Sequence, residues 1–447
     1  MTLMRKCLLE ISDGSGDPRR SIRDLLRKAR VSGLLELPNP VSVKDTNTLS
    51  TLMGCFKEIG FHELTSIRPF VRDISISVAS LESSLKLLEN MSRLGYIDEL
   101  VTGRLLTETL KRYPLSDINL DDSLRILRIL QTQRYRHGAL IQSLVTRVLS
   151  EGNSDQKFKL VRILGELDSL TPQLISELDR PATHSQCIDL AWGLLLQEHK
   201  LSSVLDIPDL LSYCLGTLKS SNEMTPLLLS ESAEYRLRVI RDAIYFLHRE
   251  SVYERLDEPF KAFLSHLSSE SQEKIFPKHT GIRIKSDLKD ISDTLFSENV
   301  AHSVHGAVGS FVVDIVERDR KIVWEYDGRD RFYANGSEPV KASFHELKRR
   351  IIKGMGYKVI SIPHWHWKKM NNKQLRKEYC RTSRYLALMD LRDLSQVRGN
   401  PQEFRISDNA PANVSAWQFH NENVYKKQRP KQAWAWNRPT TTLRIAI

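Results

Sequence analysis

A helical repeat that covers more than half of the chain is the feature that most constrains its fold. Between Arg20 and Ile275, apolar residues recur at spacings of three and four and strict alternation is nearly absent, which is typical of amphipathic helices. Similar segments recur about every 34 to 39 residues, at positions 48–61, 84–96, 123–135 and 158–168, with a fifth starting at 190–196. Because one helical hairpin cannot bury its apolar face alone, this period predicts stacked hairpins in an α-solenoid.

The basic charge of the chain lies towards its C-terminal end. The formal net charge is +11, and residues 304–447 carry 27 Lys and Arg against 14 Asp and Glu, whereas residues 1–303 are close to neutral. Such an excess attracts a polyanion, which is RNA, acidic lipid or an acidic protein surface. No stretch approaches the ~18 consecutive apolar residues of a membrane span. The five cysteines lack CxxC or Cys/His ligand spacing, so we expect neither a disulfide framework nor a structural zinc site.

After residue 285 the pattern changes to that of a small α/β module. Residues 309–316 are rich in β-branched side chains and residues 322–327 alternate, so together they predict a β-hairpin. Residues 344–355 place apolar side chains on one helical face, and Lys348, Arg349, Arg350 and Lys353 on the other. Gly356 is placed to end this helix, and residues 357–362 predict a third strand that Pro363 stops.

Three carboxylates of the predicted hairpin suggest a nuclease-like site. Asp314 lies on one strand, while Glu325 and Asp327 lie two residues apart on the next and therefore share a face. Carboxylates in this position can hold a divalent cation that polarises a phosphodiester and activates water. The arrangement resembles the PD-(D/E)xK nuclease site.

A closer resemblance is carried by several short motifs in a fixed order. They are Asp314, WEYDG at residues 324–328, Phe332, LKRR at 347–350, GYKVISIP at 356–363, and Trp367. Together they resemble the RAP domain, which ends the FAST kinase domain-containing proteins and many organellar helical-repeat proteins. The resemblance implies RNA work in an organelle, and a fold related to restriction-type nucleases. Helical repeats in front of the domain agree with the usual architecture of such proteins.

Two departures from the nuclease pattern argue against catalysis. The third residue of the ExK triplet is Asp327, so the lysine that positions water and offsets transition-state charge is missing. The histidine that the family usually carries after its Asp-Gly pair is Arg331 here, a permanent cation in place of a group that titrates near pH 7. For the nuclease alternative, the catalytic residues are Asp314, Glu325, Asp327 and Lys348, with Mg²⁺ as cofactor.

The preferred interpretation is RNA binding by cations interleaved with aromatic side chains. The predicted RNA-binding residues are Arg329, Arg331, Lys348, Arg349, Arg350, Lys353, Trp367, Lys426, Lys427, Arg429 and Lys431. His364 and His366 lie two residues apart in a segment expected to be extended, but no third ligand is near them in sequence, so we expect no metal site there.

These observations predict five segments. They are an N-terminal extension (1–19), the α-solenoid (20–285), a restriction-endonuclease-like α/β RAP domain (304–370), a helical extension (371–395) and a basic extended tail (396–447). We expect a non-catalytic RNA-binding protein without a cofactor, located in the mitochondrial matrix or in a plastid-type organelle. Its expected partners are organellar transcripts, or rRNA and ribosomal subunits, and not a membrane. A metal-dependent endoribonuclease and a helical-repeat protein scaffold are the alternatives.

Overall fold

The computed structural model of the chain describes residues 49–50, 53–54, 80–220, 229–269, 286–334 and 339–390. Within these ranges the chain is mostly helical, with 14 α-helices and one four-stranded mixed sheet. None of the helices described is long and apolar enough to cross a membrane. The helices are α1 Leu81–Arg93, α2 Glu99–Arg112, α3 Leu120–Thr132, α4 Gly138–Glu151, α5 Ser154–Glu166, α6 Pro172–Ser176, α7 His184–Leu201, α8 Ile207–Ser220, α9 Glu231–Leu247, α10 Glu258–Ser269, α11 Ser286–Ser297, α12 Ser343–Gly354, α13 His364–Lys369 and α14 Lys373–Leu388.

The C-terminal ends of α1, α3 and α5 share one backbone geometry. Two positions after each helix, Gly95 (φ 69°), Arg134 (φ 51°) and Asp168 (φ 58°) adopt the left-handed conformation. The next amide donates to the carbonyl five residues earlier at 2.9 Å in all three cases: Tyr96 to Met91, Tyr135 to Leu130, and Ser169 to Leu164. Because these ends follow one another at the predicted spacing, they confirm the helical repeat. The first predicted copy, at residues 48–61, lies almost entirely outside the described residues.

The described residues fall into two compact units. Unit 1 contains residues up to 163 with 333–334 and 339–340, and unit 2 contains residues 164–332 with 341–390. In unit 1, α1 packs against α2 and α3, and α3 packs against α4. The buried amide of Gln133 donates to Ser92 Oγ (2.9 Å) and to the Tyr96 carbonyl (3.1 Å), and accepts from Thr102 (3.2 Å). Consecutive hairpins are therefore joined by a satisfied polar contact as well as by apolar packing.

Unit 2 contains the sheet, in the order β1-β2-β3-β4. The strands are β1 Ser303–Val308, β2 Phe311–Glu317, β3 Ile322–Asp327 and β4 Lys358–Pro363. The first three pair antiparallel, and β4 joins β3 in parallel after the crossover helix α12. Every residue of β3 is buried, as expected for a strand covered on both faces of the sheet.

One face of the sheet packs against α11, α13 and α14. Its core contains Leu288, Ile291, Leu295, Val300, Ile315, Ile322, Trp324, Tyr326, Ile360, Ile362, Trp367, Met370, Tyr379 and Cys380. The buried indoles keep their N–H groups satisfied: Trp324 donates to Glu317 at 2.8 Å, and Trp367 donates to Asp290 at 3.0 Å. Trp367 is fully buried, so it anchors α13 against the sheet.

The other face is covered by α12, which packs in turn against α7 and α9. The Phe344 ring at the start of α12 lies 5.8 Å from that of Trp192 on α7. At the far end, Gly356 (φ 84°) terminates the helix as the sequence predicted. Helix α12 thus has two buried sides, one towards the sheet and one towards helices that the sequence had placed in a separate domain.

One strand was not predicted, and one local prediction was wrong. Strand β1 was missed because it is short, contains Gly306 and turns left-handed at His305 (φ 54°), so it lacks a clear alternating pattern. Residues 364–369 were expected to be extended, but they form α13. Pro363 acts as the N-cap, with a backbone angle that ends β4 and starts the helix in one step.

Candidate functional site

The three carboxylates singled out in the sequence lie together on the sheet face that α12 covers. Asp314 comes from β2, and Glu325 and Asp327 come from β3, which pairs with β2. Their side chains are only 17%, 8% and 2% exposed. Asp314 also accepts the Tyr326 backbone amide at 2.7 Å. The period-two argument therefore placed this carboxylate cluster correctly.

The guanidinium of Arg331 occupies the centre of the carboxylate cluster. It lies 2.6 Å from Asp314, contacts Glu325 directly, and lies 3.4 Å from Asp327. A 3-10 turn, Arg329–Arg331, directs it back towards the strands, and the Ala342 amide donates to the Arg331 carbonyl at 2.9 Å to hold the turn. One planar cation thus engages all three acids.

Two lysines complete the network. Lys341 Nζ lies 2.7 Å from an Asp327 oxygen and donates to Ser361 Oγ at 3.0 Å. Lys348 Nζ lies 2.9 Å from Glu325 and donates to the Val312 carbonyl at 2.8 Å. Three cations therefore balance three carboxylates, and we call these six residues the ion-pair network.

Burial and charge act in opposite directions within the network. Burial raises the pKa of Asp314 above its ordinary value, and Glu325 adds to this, while the charge of Arg331 works against it. Burial lowers the pKa of Arg331, but the surrounding carboxylates raise it further than burial lowers it. The guanidinium therefore keeps its proton at every physiological pH, and its charge at the centre of the acids is permanent.

This geometry bears directly on catalysis. A metal-dependent nuclease needs carboxylate oxygens that face an open position where a cation and water can bind. Here each of the three carboxylates is paired with Arg331, and Glu325 and Asp327 are also paired with Lys348 and Lys341, respectively. The cleft beside them, also lined by His345 and Arg349, has room for about one water molecule. The arrangement can hold α12 and the turn against the sheet, and its carboxylates face cations of the protein instead of an open position.

The predicted RNA-binding residues separate into two groups. Four are buried or engaged: Arg331 and Lys348 in the network, Trp367 in the core, and Arg350, which pairs with Glu198 at 2.7 Å and donates to the Leu195 carbonyl. Arg349, Arg329 and Lys353 are at least partly exposed, with Arg349 3.5 Å from Glu346. The tail residues Lys426, Lys427, Arg429 and Lys431 lie outside the described residues.

The expectation of a single exposed basic face on α12 is therefore corrected. Helix α12 has the sheet on one side and α7 with α9 on the other, so Lys348 is directed to the sheet and Arg350 to α7. A one-sided amphipathic pattern cannot reveal the second buried side, because arginine and lysine in an ion pair look like solvent-facing residues in a sequence.

Sequence reasoning also missed residues that the structure brings to this region. Ser361 pairs in register with Glu325 on the neighbouring strand, and Lys341 lies just before α12. Strand parity would have identified Ser361 once the parallel pairing was known. Trp365, Lys368 and Lys369 of α13 lie at the carboxyl end of β4, whereas the sequence analysis considered only His364 and His366 for metal binding and Trp367 for RNA binding in this segment.

Part of the chain matches a known protein family. Residues 324–382 match the family model described as the RAP domain, a range that runs from β3 into α14. The matched range contains Glu325, Asp327, Arg331, Lys341 and Lys348, while Asp314 precedes it. The RAP domain is generally associated with RNA binding. None of the curated proteins compared matches the chain.

Proposed function

We propose that the chain, whose residues 324–382 match the RAP domain, binds RNA without cleaving it. The observation that carries the proposal is the position of Arg331, which engages the three carboxylates a nuclease would offer to a metal ion. A guanidinium supplies positive charge, but it cannot lower the pKa of a water molecule bound to it as a metal does. Binding then depends on exposed cations and on the basic C-terminal region.

The biological setting that we propose is an organelle. The resemblance to organellar helical-repeat proteins supports this, as does the excess of Lys and Arg in residues 304–447. A mitochondrion is the preferred compartment, and either transcripts or the rRNA of the mitochondrial ribosome are the proposed targets. Size fractionation of native organelle extract tests the ribosomal part: co-migration with a ribosomal subunit supports it, and migration as a free protein contradicts it.

The proposed activity is tested with the purified chain and labelled RNA. We expect binding that weakens as salt rises, since contacts to phosphates release counterions. Incubation with Mg²⁺ or Mn²⁺ at high protein concentration should leave the RNA intact. Binding that does not respond to salt, or no binding at all, would contradict the proposal.

A metal-dependent ribonuclease remains a second candidate because all three carboxylates are kept on one face. For this activity Arg331 would have to leave the cluster so that a metal ion could enter. RNA cleavage that needs a divalent cation and is lost in Asp314→Ala would favour it. Cleavage that survives Asp314→Ala would point to a contaminating nuclease.

A further inference from the structure

The parallel strands β3 and β4 end side by side, and an aromatic cluster surrounds their carboxyl ends. His364 Nδ1 lies 3.3 Å from the Asp327 carbonyl and so connects the two ends. The Trp365 ring lies 4.8 Å from that of buried Phe332 and 4.9 Å from that of His364. Trp365 itself is half-buried, which leaves part of its indole surface open to solvent.

Exposed cations flank this indole. Arg329 lies on the turn after β3, and Lys368 and Lys369 lie on the last turn of α13. Burial first, and then the charges of Arg329 and Lys368, lower the pKa of His364. Burial and then Lys369 lower that of His366 to about 4. Both imidazoles are therefore neutral at pH 7, and the positive charge comes from the three cations.

Two acidic residues, Asp287 and Asp330, lie near these cations. Lys368 Nζ lies 3.9 Å from Asp287, at the limit of an ion pair, and its side chain is 63% exposed. Asp287 instead accepts a short hydrogen bond of 2.5 Å from the buried Tyr326 hydroxyl. Asp330 is half-buried on the same turn as Arg329. An exposed aromatic surface between cations is what an unpaired nucleotide needs, with its base on the ring and its phosphates on the charges.

We propose that Arg329, Trp365, Lys368 and Lys369 form a strand-end patch that binds single-stranded RNA, with one unpaired base stacked on Trp365. This proposal rests on the proposed RNA binding, and it adds a preference for single-stranded over double-stranded RNA. In an A-form duplex the base faces are covered by their neighbours, so a duplex offers the patch only its phosphates. Single-stranded RNA offers both contacts.

The experiment measures affinity of the full chain for an unstructured RNA oligonucleotide and for the same strand in a duplex, over a range of salt concentrations. Trp365→Ala should weaken binding of the single strand about 5- to 100-fold, the loss typical of one stacked base. The dependence of affinity on salt should stay unchanged, because no charge is removed. Trp365→Phe, which keeps an aromatic ring, should recover most of the affinity.

The double variant Arg329→Ala/Lys368→Ala, unlike Trp365→Ala, should also change how affinity depends on salt. For single-stranded RNA, each lost phosphate contact makes the slope of log affinity against log salt concentration less steep by about 0.7. The matched control removes two exposed arginines, Arg318 and Arg320, from the β2–β3 turn at the opposite end of β3. This control should change affinity less than the strand-end variant does.

Each outcome decides for or against the patch. If the wild-type chain binds single-stranded RNA but Trp365→Ala binds as tightly, the patch is wrong while RNA binding stands. If the wild-type chain binds no RNA, both proposals fall. Tighter binding of the duplex than of the single strand would also overturn the proposed patch. So would an acidic peptide that competes with RNA at the patch and binds as tightly as the RNA does. If thermal unfolding shows that Trp365→Ala is not folded, the RNA affinities of Trp365→Phe and of the double variant Arg329→Ala/Lys368→Ala test the patch instead.

Discussion

At the scale of the residue, Arg331 decides what the carboxylate cluster can do. Its planar guanidinium presents several N–H donors in one plane, so it can meet carboxylates from β2 and β3 simultaneously. Transferring these charges from water is costly, and the cost is offset only while each charge keeps its partners. A lone cation or a lone acid left in this position would be strongly unfavourable. The network is therefore sensitive to the loss of any single member.

The first prediction concerns Arg331 itself. Arg331→Ala should lower the free energy of unfolding by about 3–5 kcal/mol, since three buried carboxylates would then face only two lysines. Arg331→Lys should cost less, because it keeps the charge but loses the planar fork. Chemical denaturation monitored by circular dichroism measures both. A loss below about 0.5 kcal/mol in Arg331→Ala would place this side chain with ordinary surface residues.

A second prediction compares two lysines of the same helix. Lys348 is buried against Glu325 and the Val312 carbonyl, whereas Lys353 is exposed. Lys348→Met should destabilise the protein by about 3 kcal/mol, because it leaves Glu325 short of a partner. Lys353→Met should stay within about 0.5 kcal/mol of wild type. Equal effects in thermal unfolding would contradict the different environments of the two lysines.

At the scale of the element, α12 is held on its second side by a polar cluster with α7 and α9. Glu198 of α7 lies 3.0 Å from His248 Nε2 and 2.7 Å from Arg350. Burial raises the pKa of Glu198, but the hydrogen bonds and charges of His248 and Arg350 outweigh it, so the pKa lies below its ordinary 4.5. A carboxylate whose pKa is lowered in the folded state stabilises the fold at pH values above its unfolded pKa. This contribution is lost as the pH falls through the folded pKa.

The prediction for Glu198→Gln follows from that sign. At pH 7 the variant should lose about 2 kcal/mol, because it gives up hydrogen bonds that involve charged groups. Below the ordinary pKa of 4.5, the wild type should lose stability with falling pH more steeply than the variant. Urea denaturation at several pH values between 3 and 7 provides the measurement. Parallel curves for the two proteins would rule out a lowered pKa at Glu198.

The helix ends of the repeat give a fourth prediction. Gly95 has φ 69°, and a Cβ built on it meets no atom within 4 Å, so Gly95→Ala tests backbone strain without a clash. The cost should be about 1 kcal/mol. Gly216→Ala is the control, because Gly216 lies inside α8 with equally open surroundings and should gain about 0.5–1 kcal/mol. Effects of the same sign would contradict the left-handed helix end.

How far the sequence predicts these elements depends on the range of the interactions. The strand at residues 322–327 and the helix end at Gly356 follow from local sequence signals, and both were predicted. That Glu325 and Asp327 share a face followed from strand geometry. The direction of Arg331 was not predictable, because a 3-10 turn sets it and its partners lie on two strands. The same holds for Lys348 and Arg350, whose partners include Val312 and Glu198, far away in sequence.

At the scale of the whole molecule, the distribution of charge is the property most relevant to RNA. Residues 1–303 are close to neutral, so a long-range attraction to RNA must come from the C-terminal third. Within it, the ion-pair network is internally balanced and contributes little field outside the protein. The attraction to RNA therefore has to come from the exposed cations and from the tail, residues 396–447. Residues 396–447 carry eight Lys and Arg against three Asp and Glu.

The last prediction tests this contribution of the tail in the full chain. A variant with Lys426, Lys427, Arg429 and Lys431 changed to Gln should bind RNA more weakly, and its log–log salt slope should fall by up to about 3 for a single strand. The loss should be similar for unrelated RNA sequences, because phosphate contacts carry no sequence information. A control that exchanges Lys and Arg at the same four positions keeps the charge and should bind like wild type. Weaker binding with an unchanged slope would mean that these residues act through folding or through another contact, and not through the charge of the tail.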